Sequence, residues 1–141
     1  MFGKDESKYI LTKQAAESEI QKIFDYYEID VDEIEDKDQK KFIKQNYDRL
    51  IKAARLGRLE VKLEKGIQII QHLRDNDRVI TYGEITGNAK VATAGKEPTD
   101  FYGRIYAVMG VVSKEGEDAI KLMKGVDLSL CEVLGAIFLS A

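Results

Sequence analysis

The feature that most constrains this chain is a change of hydrophobic periodicity at Gly57. Before it, apolar residues recur every three or four positions over 11–28 and 38–56, which predicts two amphipathic helices joined by an acidic connector with one short turn. After it, apolar and charged residues alternate from Leu59 to Leu63, the pattern of a half-buried strand. Because helices often end at a left-handed glycine, Gly57 is predicted to end the second helix.

Two further strands are predicted next, at 67–73 and 79–85, where β-branched and aromatic residues are frequent. With the first strand they form a small antiparallel meander. Residues 86–97 are small and polar, and they predict a loop with a short extra strand at 90–93.

After Pro98 the chain is predicted to be helical to its end, in three helices. Proline biases the residue before it away from helix, and Thr99 or Asp100 can cap the helix that follows. Asp127 is predicted to cap the last helix, whose apolar stripe includes Leu130 and Leu134.

These elements predict an α+β fold in a chain of 141 residues, which is enough for one domain with its own core. Helices occupy the N-terminal region 1–57, and a small antiparallel β-meander and a C-terminal helical subdomain occupy 58–141. We expect the two regions to form one compact domain. Apolar runs are far shorter than the roughly 18 residues of a membrane span, so we expect no membrane association and a cytoplasmic location.

The residue inventory excludes most catalytic chemistry. The chain has one histidine, His72, and one cysteine, Cys131, which excludes a zinc cluster, a disulfide framework and a Cys-x-x-Cys pair. Gly95-Lys96 lacks the earlier glycine and the following Ser or Thr of a phosphate loop, and the acidic connector lacks the glycine and terminal glutamate of a calcium loop. The sequence therefore predicts no catalytic residue, no metal, no cofactor and no enzymatic activity.

The charge balance disfavours nucleic acid as a partner. The net charge is −3, and the basic residues of the second helix and of the segment just after it are interleaved with acidic ones, as on a solvated helix face. These basic residues are Lys40, Lys41, Lys44, Arg49, Lys52, Arg55 and Arg58.

The helix after Pro98 carries a second apolar set, Tyr102, Tyr106 and Met109, beside its main stripe. A helix that is apolar on two faces is either fully buried or contacts a second body. Tyrosine and methionine are both frequent at interfaces, since they offer large contact area with a polar or adaptable end. These three residues are the predicted partner-binding site.

Several segments between residues 50 and 139 follow a pattern that a known family shares. The first two are a junction of helix, glycine and strand at 50–59 and a pair of strands at 59–73. The third is the run Lys96-Glu97-Pro98-Thr99-Asp100, which precedes an apolar helix. The fourth, at 119–139, is a short helix followed by an aspartate and by a terminal helix that ends in Phe-Leu. Together they resemble the tail assembly chaperones of long-tailed bacteriophages and prophages, with Lys96 where that family has arginine.

The resemblance implies a non-enzymatic protein that binds the tape measure protein while the tail tube assembles. The resemblance also implies that the protein forms homo-oligomers. Many members of the family are made in a frameshifted longer form as well, which implies contact with tail tube protein. Two alternatives stay open: a small structural protein of the virion, in the tail or connector, and a nucleic-acid-binding regulator that uses the basic second helix.

Overall fold

The computed structural model of the protein describes residues 8–74 and 77–141. In chain order its elements are α1 (Lys13–Tyr26), α2 (Lys37–Arg55), β1 (Leu59–Lys62), β2 (Gln68–His72), β3 (Val79–Tyr82), α3 (Gly87–Ala94), α4 (Phe101–Ser113), α5 (Glu117–Lys121) and α6 (Gly125–Leu139). Helices and a three-stranded antiparallel sheet confirm the predicted α+β class.

The two N-terminal helices lie within two residues of their predicted bounds. Thr12 caps α1, because its hydroxyl accepts a hydrogen bond from the N–H of Ala15 at 3.1 Å. Asp36 caps α2 in the same way, and Gly57 follows the end of α2 with a φ of +78°, which glycine adopts without strain. The connector holds one 3₁₀ turn, Val31–Glu33, as predicted.

The sheet is the predicted meander, with strand order β1-β2-β3. Ile69 in the central strand pairs with Val61 on one side and with Tyr82 on the other. All three side chains are buried, so they share the inner face of the sheet. Helices α1 and α2 contact β1, and α4 contacts β3, so the helices cover this inner face.

Residues 87–94 form helix α3, so the predicted loop and the extra strand at 90–93 are wrong. Thr86 caps the helix by accepting a hydrogen bond from the N–H of Ala89 at 3.4 Å. Ala89 is fully buried, and α3 packs against α4. The β-branched residues of this segment favour a strand locally, but packing against α4 decides in favour of a helix.

Helix α6 lies at the centre of the core and contacts both α2 and α4. Its predicted apolar stripe is at most 2% exposed and consists of Leu130, Leu134, Ile137 and Phe138. Gly135 allows the close approach of α4, since a Cβ there would lie 2.6 Å from Cγ2 of Ile105. Buried residues of α1, α2, the sheet and the C-terminal helices form one cluster, so the described parts of the N-terminal and C-terminal regions, 8–57 and 58–74 with 77–141, share a core.

Asp127 does not cap α6, contrary to the prediction. The helix begins earlier, at Gly125, with Lys124 in the N-cap position. The buried Asp127 carboxylate accepts hydrogen bonds from the backbone N–H of Arg74, at 3.0 and 3.1 Å. Asp127 therefore joins α6 to the end of β2.

Candidate partner-binding surface

The structure does not bring Tyr102, Tyr106 and Met109 together on one exposed face. The Met109 side chain is fully buried, because α3, α5, α6 and β3 all contact α4. Tyr102 is 48% exposed, and Tyr106 is partly buried. Met109 therefore belongs to the core, and of the three predicted residues the two tyrosines reach the surface.

Tyr102 and Tyr106 join two phenylalanines in an aromatic patch, which consists of Phe42, Phe101, Tyr102 and Tyr106. The ring centroid of Phe42 lies 5.2 Å from that of Phe101 and 6.3 Å from that of Tyr102. Phe101 and Tyr102 are 5.4 Å apart, and Tyr102 and Tyr106 are 6.2 Å apart. These separations fall in the range of about 4.5–7 Å that favours aromatic pairs, so the four rings form a connected cluster.

Two helices position the aromatic patch. Asp100 caps α4 by accepting a hydrogen bond from the N–H of Gly103 at 2.9 Å, which puts Phe101 and Tyr102 in the first turn. Phe42 lies in the first half of α2 and meets this turn. Neighbouring side chains on a helix point about 100° apart, and here Phe101 is partly buried while Tyr102 is exposed.

Tyr106 forms the polar edge of the aromatic patch. Its hydroxyl donates a hydrogen bond to the carboxylate of Glu132 on α6, at 2.6 Å. Partial burial, this hydrogen bond and the negative charge of Glu132 raise the pKa of Tyr106 well above its ordinary value. The hydroxyl therefore stays a donor at neutral pH, and α6 holds the ring in place.

The sequence predicts the two tyrosines of the patch as partner-binding residues but not Phe42 and Phe101. Local periodicity contains no information that α2 and α4 meet. One usable signal is the adjacent pair Phe101-Tyr102 at the start of a helix, because the two side chains point in directions about 100° apart and widen the apolar surface of that turn.

The histidine and the cysteine do not form a reactive pair. Nε2 of His72 lies 2.7 Å from Oε2 of Glu60, on the face of the sheet that points away from the helices. Cys131 is fully buried in α6, and burial raises the pKa of its thiol to about 12. The thiol is therefore neutral at pH 7 and closed to solvent, and the sheet separates it from His72.

A buried polar network joins the sheet to α6. The hydroxyl of Tyr82 donates to Oε1 of Gln71 at 2.6 Å, and Nε2 of Gln71 donates to the backbone carbonyl of Asp127 at 2.9 Å. Burial raises the pKa of Tyr82 well above its ordinary value. Each of these side chains has a partner inside the protein, so the network fixes the packing of β2 and β3 on α6.

Within residues 8–74 and 77–141, no group of three or more His, Cys, Asp or Glu side chains is arranged to hold a metal ion. The helices in these ranges also lack the combination of length and apolar character needed to cross a bilayer. Comparisons with protein-family models, with curated proteins and with solved structures find no match to this chain. The aromatic patch, with Tyr102 exposed at its centre, is the candidate surface for contact with another protein.

Proposed function

We propose that this protein is a non-enzymatic tail assembly chaperone of a phage or prophage, which binds the tape measure protein during tail assembly. The observation that supports a binding role is the aromatic patch, because tyrosines backed by other aromatic rings are typical of interface hot spots. The resemblance over residues 50–139 supplies the identity of the client.

The aromatic patch suits an amphipathic client helix. Phe42, Phe101 and Tyr102 present ring edges and faces where two helices meet, and apolar side chains at every third and fourth position of a client would pack there. Tyr106 is already fixed by Glu132, so its ring loses little conformational freedom on binding. The apolar stripe of the client would stay covered until tube subunits replace the chaperone.

Several copies acting together would bind one long client more tightly than a single copy. The resemblance implies homo-oligomers, and neighbouring sites on a repetitive client raise the effective concentration without new contacts. It also implies tail tube protein as a second partner. The place of action would be the cytoplasm of the bacterial host.

Co-expression with a phage tape measure protein, the proposed client, tests the proposal. Tyr102→Glu puts a charge into the aromatic patch and should lower the yield of soluble client at least about tenfold. Val79→Glu is the matched control, because Val79 is 47% exposed against 48% for Tyr102 and lies on the outer face of the sheet. The control should leave client solubility unchanged, and unfolding curves of both variants should match that of the unchanged protein.

Full solubilisation by the Tyr102→Glu variant, or an equal loss in the Val79→Glu variant, would contradict binding through the patch. Gene position is an independent check on the family. An open reading frame between a tube gene and a very long helical gene, with a slippery heptamer near its end, supports the chaperone. Recovery of the chain from finished particles would favour a virion structural protein instead.

A further inference from the structure

A pocket between the second half of α2 and the start of α6 is lined by four basic side chains and is called the cationic pocket below. Arg49 and Lys52 come from α2, Arg58 precedes β1, and Arg74 follows β2. The volume is about 260 Å³, and the described residues that line it include no Asp or Glu. The whole chain has a net charge of −3, so this concentration of positive charge is local.

The floor of the cationic pocket is apolar. Ala53 and Leu56 of α2 line it together with Val126 and Leu130 of α6. Leu130 is fully buried and Ala53 is 3% exposed, whereas the basic side chains are at the surface, so the apolar groups lie beneath a charged rim. A low-dielectric floor focuses the field of the surrounding charges into the pocket.

Three of the four cations are not neutralised within the described part of the chain. Arg49, Lys52 and Arg58 form no ion pair with a described residue. By contrast, Lys44 on the same helix pairs with Asp32. The cationic pocket therefore differs from an ordinary solvated face, on which opposite charges alternate.

Among the described residues, Asp127 and Asp48 are close in sequence to the pocket lining but do not line it. Asp127, the acidic residue in the first turn of α6, is 4% exposed and accepts its hydrogen bonds from the backbone N–H of Arg74. Asp48 precedes Arg49 but does not line the pocket.

We propose that the cationic pocket binds a phosphate ester. Guanidinium groups bind phosphate oxygens in a bidentate geometry, and three of the four cations are arginines. Sites for drug-sized ligands have volumes of roughly 300–1,000 Å³, so this smaller pocket suits one phosphate joined to a small body that rests on the apolar floor. A nucleotide phosphate has this chemistry whether it is free or part of a nucleic acid. The inference is independent of the aromatic patch and of its client.

Calorimetric titration of the full chain with AMP at low ionic strength tests this site. The double variant Arg49→Gln/Arg58→Gln should weaken AMP binding at least about tenfold, because two guanidinium contacts are lost. Lys37→Gln/Lys41→Gln is the matched control, since it removes the same amount of charge from α2 outside the pocket. The control should change the affinity less than about twofold, and thermal unfolding should show that both variants are folded.

Two further probes distinguish the sources of the phosphate. The source is nucleic acid if a thymidylate oligonucleotide of about 15 residues binds much more tightly than AMP and if the Arg49→Gln/Arg58→Gln variant weakens its binding as well. If it binds no more tightly, the source is a free phosphate ester, and both results support the site. The proposal is overturned if none of the phosphate probes binds, if the two double variants lose affinity equally, or if a polyglutamate peptide binds at the pocket more tightly than AMP.

Discussion

The aromatic patch and the cationic pocket both include residues of α2, but they depend on different forces. The patch joins α2 to α4 through rings in edge-to-face contact, and its attraction for a partner is apolar and short-ranged. The pocket joins α2 to α6, and its charges act over a Debye length of about 10 Å at 0.1 M salt. One small fold therefore carries two surfaces whose binding should respond differently to the salt concentration.

The largest effect should come from a change that damages both surfaces at once. Gly135→Val on α6 places side-chain atoms where even a Cβ would lie 2.6 Å from Ile105 and 3.2 Å from Met109. We expect overpacking to lower the free energy of unfolding by about 2–3 kcal/mol, measured by urea denaturation. Gly87→Val is the control, because a Cβ at Gly87 meets nothing within 4 Å, and it should change stability by less than about 0.5 kcal/mol. Equal stability of the two variants would mean that α4 and α6 are not closely packed.

An intermediate effect should come from ionic strength, which acts on one surface and not on the other. Raising NaCl from about 0.05 M to about 0.5 M should weaken AMP binding roughly tenfold, because the charges of the cationic pocket are screened. The amount of client bound through the aromatic patch should change less than about twofold, since apolar contacts are not weakened by salt. Calorimetry measures the affinity for AMP, and a pull-down measures the amount of bound client, with the same protein preparation. Equal salt sensitivity would contradict the contrast between the surfaces.

The smallest effect should come from the polar edge of the aromatic patch. Glu132→Gln keeps a hydrogen-bond acceptor for Tyr106 but removes the negative charge. Because the hydrogen bond to the carboxylate and its charge both raise the pKa of Tyr106, we expect this pKa to fall, while partial burial keeps it above the ordinary value. Absorbance titration of tyrosine ionisation measures the change, and an unaltered curve would contradict a role for Glu132.

The same substitution should alter the dependence of stability on pH. The stability linked to the raised pKa of Tyr106 is complete below the ordinary tyrosine pKa of about 10, and it is lost as the pH rises through the folded-state pKa. That loss should be smaller in the Glu132→Gln variant. At pH 7 we expect the variant to be destabilised by no more than about 1 kcal/mol, the net value of one hydrogen bond.

Local signals predicted those parts of the fold that have local causes. Gly57 ends α2 through its own backbone conformation, and Asp100, one of two predicted caps, binds an N–H within the first turn of α4. The alternation from Leu59 to Leu63 likewise predicts β1 because successive side chains of any strand point to opposite faces. Each of these effects acts over a few residues and needs no knowledge of what packs nearby.

The failures all concern contacts between distant segments. Val91 has a strand preference that α3 overrides by packing on α4. Met109 has the spacing of a surface stripe but is covered by neighbouring elements, and Asp127 has the composition of a cap but binds the end of β2. Phe42 belongs to the patch because α2 meets α4, which no local pattern in α2 reveals.

Helix α2 also sets the distance between the two surfaces. Phe42 of the aromatic patch and Arg49 of the cationic pocket are seven residues apart, which is about two turns or 10 Å on nearly the same side of the helix. Hydrogen bonds within one helix fix this spacing, whatever the packing of the neighbouring elements. Substitutions elsewhere can loosen either surface, but the gap between them stays constant for as long as α2 remains helical.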